Sequence, residues 1–232
     1  MDTNSLKIGI THPGKMGSSV GAVLVEEGHD VMWASEGRSE ETTPRAVDAG
    51  LRDVESFTQM SSEADVIFSI CMQPGSLEIL EKAVEEGFTG IFVDANFVND
   101  DFVPEFNQMG ADADFPFVDG AIYGYPIPGP YGFTSERSFY LHGDDAQLIA
   151  DLFKETPFEG IVLDESAKVF RARRMAGETP DPLELEILKK EGYIAPRVDT
   201  DLRKDALEWV DVKDEMEWIP DTDEDTDASE SD

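Results

Sequence analysis

"KIGITHPGKMGSSVG", Lys7 to Gly21, reads as a short apolar strand, a glycine turn and the start of a helix. In the Gly-x-Gly-x-x-Gly frame that cradles dinucleotide phosphates, the first glycine turns the chain. The second admits the pyrophosphate, and the third lets the helix pack closely on the strand. Here the frame reads His12-Pro13-Gly14-Lys15-Met16-Gly17, so the last two glycines are present and the first is a histidine. Pro13 fixes φ and can preform the turn by another route. The N–H groups and macrodipole at the helix start favour an anion. His12 either adds a donor to a phosphate when protonated or is a turn residue without ligand contact.

Outward from this stretch the chain alternates strand-like and helix-like segments. Strands are expected at 6–11, 30–35, 64–71, 90–96, 116–122, 138–143 and 160–164. The runs "ADVIFSIC" and "GIFVDAN" are nearly all apolar, as parallel strands covered on both faces are. Helices are expected at 17–27, 43–50, 76–87, in "FVPEFNQMGADA" and at 144–155, with Gly28, Gly50 and Gly87 as stops. Thr43 is the expected cap of the second helix. Repeated strand–helix–strand units predict an α/β fold, a doubly wound, mostly parallel Rossmann-type sheet. Ligands of such sheets lie beyond the carboxyl ends of the strands, at the switch point. The unusual loops "THPGKMG", "ASEGRS", "CMQPG", "DANF" and "DGAIYGYPIPGP" all fall at those ends.

Of 232 residues, 51 are acidic and 18 are Lys or Arg, a formal net charge of −33. The acids are spread along the chain. That distribution suits a salty cytoplasm, as in halophilic archaea, where screening removes the self-repulsion. It argues against a nucleic-acid mimic, and with no basic stripe, nucleic-acid binding is not expected. No run is long and apolar enough to span a membrane, and the N-terminus lacks a signal-peptide pattern. A single cysteine, Cys71, fits a reducing cytoplasm. No metal-ligand cluster is expected from the three scattered histidines, His12, His29 and His142.

The stretches "PGKMGSSVGAVLVEEGHDV", "VDAN", "FVDGAIYG" and "FYLHGDDA" together resemble the 6-phosphogluconate dehydrogenase and β-hydroxyacid dehydrogenase superfamily over about residues 6–163. The His-Pro-Gly in the loop is similar to an uncharacterised branch of it. The resemblance implies NAD(P)-linked oxidation or reduction of a small-molecule substrate. It implies that His12, Pro13, Gly14, Lys15, Met16 and Gly17 face the pyrophosphate, with Ser35 to Arg38 at the adenosine ribose. Cys71, Met72 and Pro74 would line the cofactor, and Asn96 would stand near the nicotinamide and substrate. Gly120, Tyr123 and Gly124 match the family's substrate loop, although its Ser-Gly-Gly is here Tyr123-Gly124-Tyr125.

The preferred cofactor can be argued from residues. In NAD-selective sites an acid roughly 20 residues past the glycine turn binds the ribose hydroxyls. Counting from Gly14 leads to Ala34 and Ser35, which are neutral, with Glu36 next. Arg38, flanked by Ser35 and Ser39, can hold a 2′-phosphate with its fork of donors. NADP is therefore expected, with NAD as the alternative. The competing reading of Arg38 is surface pairing with Glu36, Glu40 or Glu41.

The expected domains are 1–163, an NAD(P)-binding Rossmann-type domain, 164–218, a helical extension, and 219–232, a disordered acidic tail. The family carries its catalytic lysine in a long helical domain, in the pattern Gly-x-x-x-Lys-x-x-x-Asn, for which residues 164–232 leave little room. "SAKVFRARRMAG" would be the stub of the linking helix. Lys168 is the one lysine near the expected place and lacks the matching Gly and Asn. Its other reading is one of four cations, with Arg171, Arg173 and Arg174, pairing with the acidic surface. Amphipathic segments 181–196 and 200–210 fold back on the domain or pack on a second chain, which leaves a homodimer open. Two functions follow: an NADP-dependent oxidoreductase with a truncated helical domain, or a nucleotide-binding sensor module without chemistry of its own.

Overall fold

The computed structural model describes residues 5–71, 75–96, 103–127 and 137–175. Eight strands form one sheet in the order β3-β2-β1-β4-β5-β6-β7-β8. They are β1 (Lys7–Ile10), β2 (Asp30–Trp33), β3 (Arg52–Asp53), β4 (Val66–Ser69), β5 (Ile91–Asp94), β6 (Phe117–Tyr123), β7 (Arg137–His142) and β8 (Phe158–Val162). All pair in parallel except β6 with β7, which run antiparallel with Asp119 opposite His142 and Tyr123 opposite Ser138. The helices are α1 (Lys15–Glu26), α2 (Thr42–Asp48), α3 (Phe57–Glu63), α4 (Gly75–Glu85), α5 (Val103–Asp112), α6 (Ala146–Asp151) and α7 (Ala167–Met175).

The sheet is apolar on both faces because successive side chains point to opposite sides. Ile8, Ile10, Phe68 and Val93 join Val20, Leu24 and Phe153 in one core. Met32, Ile67 and Phe92 join Met60, Leu80 and Phe106 in the other. The central strands β4 and β5 are buried along their whole length, as their unbroken apolar runs predict.

Two elements escape the sequence reading. β3 is only two residues long and exposed, so it carries no hydrophobic pattern. The seven-residue α3 begins at Ser56, whose Oγ accepts from the Gln59 backbone N–H at 3.2 Å. The Ser-x-x-Gln spacing was a readable start signal. α2 begins one residue before the expected Thr43 cap, with Glu41 at the cap position and no side-chain capping bond. The compact unit runs through Arg173 and so takes in most of α7. The segments 181–196, 200–210 and 219–232, with Met72 and Pro74, lie outside the described residues.

The order places β1 between β2 and β4, so the chain reverses its direction of travel there. The crevice beyond the carboxyl ends of β1 and β4 is the switch point at which such sheets bind ligands.

Candidate functional site

The glycine turn lies at that switch point. Gly14 caps α1 with φ −70°, and no side chain occupies the cap. As at any helix start, the first N–H groups have no partner within the helix. A Cβ built on Gly14 meets no atom of the described residues within 4 Å, so their packing does not require glycine there. A Cβ on Gly17 would lie 2.0 Å from the His12 carbonyl oxygen. The two glycines thus do different things: Gly17 permits the helix–turn approach, and Gly14 leaves open space over the helix start. Pro13 is buried, Lys15 is exposed and Met16 packs at the edge of the core.

His12 faces inward, its Nδ1 at 3.1 Å from Thr11 Oγ1. Burial, and then the nearby Arg38 guanidinium, lower its pKa to about 4. The imidazole is thereby held toward its neutral form at pH 7. Arg38 follows a turn in which its N–H bonds Ser35 O at 3.1 Å. Its side chain is half-buried, with Nε unpartnered. Glu41 is taken by Arg45 at 2.8 Å, and among the described residues Arg38 forms no ion pair. The competing reading of Arg38, surface pairing with Glu36, Glu40 or Glu41, is not what the fold builds among the described residues. Instead it lies near enough to His12 and Cys71 to perturb both. Burial, followed by the Asp94 charge, raises the Cys71 thiol to about 12, so this cysteine is not a thiolate nucleophile.

Behind the crevice lies a buried polar centre. Lys168, on α7, is 4% exposed. Its Nζ lies 2.7 Å from Asp94 Oδ2 and 2.6 Å from Asp119 Oδ1, and donates to Asp94 O at 3.1 Å. Gly120 O is a further 3.4 Å contact. Asp94 and Asp119 stand side by side in the β5–β6 register. Burial raises Asp94, and the Lys168 ammonium opposes that without cancelling it. Burial pulls Lys168 down, but the two carboxylates outweigh it and hold the ammonium above the ordinary lysine range. An ammonium has three protons, and all three are engaged by the chain's own oxygens.

Asn96 is equally committed. Its Nδ2 donates to Ser69 Oγ at 2.8 Å and to Asp94 Oδ1, and its Oδ1 accepts from the Cys71 N–H. It ties the ends of β4 and β5 together. On the far side, Ser166 Oγ donates to Asp119 Oδ2 at 2.5 Å.

The reading of α7 as a row of cations pairing with the acidic surface fails at Lys168 and Arg171 and holds at Arg173. Lys168 is inside, Arg171 Nε donates to Ile122 O at 3.1 Å, and Arg173 pairs with Glu165 at 2.5 Å. Gly120 is buried on β6, Tyr123 ends that strand, and Gly124 follows it. The segment beyond turns back onto α1: Ile127 N–H donates to Ser19 Oγ at 2.7 Å, and Arg137 Nε donates to Tyr125 O at 2.5 Å. The structure therefore brings the described end of the expected substrate loop against the helix that begins at the glycine turn.

Asp94, Asp119 and Ser166 were not singled out from the sequence. A signal was present in "FVD" at 92–94 and again at 117–119. An acid inside an apolar strand must find a cation or retain its proton.

No family model matches the sequence, and no curated protein does. Solved structures do match. The conserved protein MTH1747, of unknown function and structurally similar to 3-hydroxyacid dehydrogenases, is 22% identical, with a TM-score of 0.61 over 91% of this chain and 77% of that one. The 3-hydroxyisobutyrate dehydrogenase of Mycobacterium tuberculosis, solved with L-serine, is 15% identical, with a TM-score of 0.58 over 85% and 75%. An imine reductase from Myxococcus stipitatus, in complex with NADP+, is 14% identical, with a TM-score of 0.58 over 90% and 72%. With its eight-stranded, switch-pointed sheet, the chain has the Rossmann-type α/β fold shared by 3-hydroxyacid dehydrogenases and imine reductases.

Proposed function

We propose that this chain binds NADP(H), with the pyrophosphate over Gly14–Gly17 and the 2′-phosphate at Arg38 and Ser35. The observation that carries the reading is the open space over Gly14 at the start of α1, with Arg38, which forms no ion pair among the described residues, beside the same crevice. A guanidinium left half-buried without a carboxylate is suited to a phosphate. The presence of NAD+ or NADP+ in imine reductases of this fold supports a nicotinamide dinucleotide as the ligand. Cys71, Met72, Pro74 and Asn96 would flank the nicotinamide half, and the cofactor, when bound, supplies hydride-transfer chemistry. Gly120, Tyr123 and Gly124 would border a small substrate, such as a hydroxy acid or an imine.

On this reading the protein is an oxidoreductase of the 3-hydroxyacid dehydrogenase type. One observation favours the second reading, a nucleotide-binding module without turnover. The ammonium of Lys168 is sealed and all its protons are spent, so it offers none to a substrate unless α7 moves.

Fluorescence titration with NADPH and NADH tests the binding. Gly14→Val should abolish both, since its side chain fills the space over the helix start. Arg38→Ala should weaken NADPH by about 1.5–3 kcal/mol, the scale of a hydrogen bond to a charged group, and leave NADH nearly unchanged. Equal loss of both, or of neither, would overturn the role of Arg38. Binding without turnover of 3-hydroxy acids supports the module reading, and a brisk rate lost in Lys168→Ala overturns it.

A further inference from the structure

We infer that Asp53 is a positioning residue that holds the Ser35–Arg38 turn in place and thereby sets the preference for NADPH over NADH. The inference rests on the cofactor reading proposed above. The two exposed residues of β3 have no apolar anchor and owe their place to β2, with Trp33 opposite Asp53 and the Val54 N–H donating to Trp33 O at 2.9 Å. That pairing brings Asp53 to the carboxyl end of β2, where the chain leaves the sheet toward Arg38. There a single carboxyl oxygen, Asp53 Oδ1, accepts from two backbone N–H groups, Ser35 at 3.2 Å and Glu55 at 2.8 Å.

A second tie lies beside the first, the Glu36 N–H donating to Glu55 O at 2.8 Å. Glu55 is held at φ 64°, in a tight turn closed by the Ser56 N–H donating to Val54 O at 2.7 Å. A non-glycine residue keeps such a left-handed conformation only where its surroundings over-determine it. The surroundings here are the two bonds that Glu55 makes, its N–H to Asp53 and its carbonyl to Glu36. From Ser35 the tie passes to Arg38, whose N–H donates to Ser35 O at 3.1 Å. Gly37, at φ 71°, stands at the third position of that turn, where a type II turn requires a positive φ. The backbone of Arg38 is thus located from Asp53 by way of Ser35.

Ser35 and Arg38 are the groups proposed for the 2′-phosphate. A guanidinium fork grips a phosphate only when its N–H groups are correctly aimed, so a turn that loses its tie loses that grip. NADH has no 2′-phosphate, and the dependence is therefore specific to NADPH. An acid in this place has an opposite possible effect, since its charge would repel a 2′-phosphate and favour NADH. The two effects differ in sign. A positioning Asp53 needs only the acceptor Oδ1, which Asn also supplies, whereas a repelling Asp53 needs the charge, which Asn lacks. The commitment of Oδ1 to two N–H groups of the turn favours positioning.

The test is titration of wild type, Asp53→Ala and Asp53→Asn with NADPH and with NADH. Asp53→Ala should lower the ratio of NADPH to NADH affinity about tenfold, the scale of one hydrogen bond to a charged group. Asp53→Asn should keep the wild-type ratio. Amide exchange at Ser35 and Glu55 in the cofactor-free protein should quicken in Asp53→Ala and stay slow in Asp53→Asn. Where circular dichroism shows Asp53→Ala misfolded, Asp53→Val, β-branched as strands favour, replaces it with the same expected loss. Tighter NADPH binding in both variants would show a charge barrier and overturn the inference. An unchanged ratio in Asp53→Ala, an equal loss of both cofactors, or unchanged exchange would overturn it as well, while leaving the cofactor reading standing. A wild type that binds neither cofactor overturns the cofactor reading and this inference together.

Discussion

His12 shows how one buried side chain links the candidate site to stability. Its ordinary pKa is about 6.5, and burial with Arg38 nearby lowers it to about 4 in the folded chain. A lowered folded pKa means that the unfolded chain takes up the proton first. The native state is therefore penalised as pH falls from about 6.5 toward about 4, and not above that window. At pH 5 the penalty is about 2 kcal/mol relative to pH 7.5 by this linkage. The carboxylates also titrate there, so the measurement is a difference. Urea unfolding of the wild type and His12→Gln should give curves that converge as pH falls from 7.5 to 5, by that amount. Parallel pH profiles would show that the imidazole is not held neutral. A bound 2′-phosphate at Arg38 would lessen the effect by offsetting the positive charge next to the ring.

At the scale of elements, α1 and α7 are fixed in contrasting ways. α1 depends on a close approach. Gly17→Ala puts a methyl group 2.0 Å from the His12 backbone oxygen, and overpacking of this kind costs at least ~2 kcal/mol where backbone must move. Gly14→Ala adds a methyl group to open space at φ −70° and should change stability by less than about 0.5 kcal/mol. Denaturant midpoints without cofactor would separate the two, and equal losses would contradict the geometry. α7 depends on charge. Lys168→Met leaves Asp94 and Asp119 buried without their cation, and breaking such a pair typically costs about 3–5 kcal/mol. Adding Asp94→Asn should recover part of that loss. A stable single mutant would mean that the ammonium does not sit inside.

The same two helices mark how far the sequence could be read. The strand–turn–helix of β1 and α1 was legible because its signals are local: an apolar run, two glycines at fixed spacing and a helical period. The parallel sheet followed from repetition of that unit. β3 was not legible, being two exposed residues whose pairing with β2 is the whole of their structure. Lys168 is the instructive case. Its sequence neighbours are Arg171 and Arg173, and a row of cations on an acidic chain reads as surface. Its partners lie 74 and 49 positions away, and no local periodicity carries that information. For Arg38 the local sequence left two readings, a phosphate ligand or a partner of Glu36, Glu40 or Glu41, and among the described residues the fold builds no such ion pair.

For the whole molecule the deciding quantity is the net charge of −33. The described ion pairs outside the buried centre, such as Arg45–Glu41, Arg52–Asp30 and Lys154–Asp151, are largely exposed. Pairs of that kind contribute about 0–1 kcal/mol each, and 18 cations cannot neutralise 51 acids. Repulsion among the remaining carboxylates therefore opposes compaction. Its range falls from about 10 Å at 0.1 M salt to about 3 Å at 1 M. Salt weakens the few attractive pairs as well, but repulsive contacts greatly outnumber them, so the net effect of screening is stabilising. We expect the thermal midpoint to rise steadily from low to molar KCl at pH 7.5. Screening acts only on charge, so the same series near pH 4.5, where part of the carboxylates are protonated, should give a shallower rise. Sucrose in place of KCl should reproduce neither the slope nor its pH dependence. A midpoint that is flat or falling in KCl would show that the acids are already spaced widely enough for water alone to keep them apart.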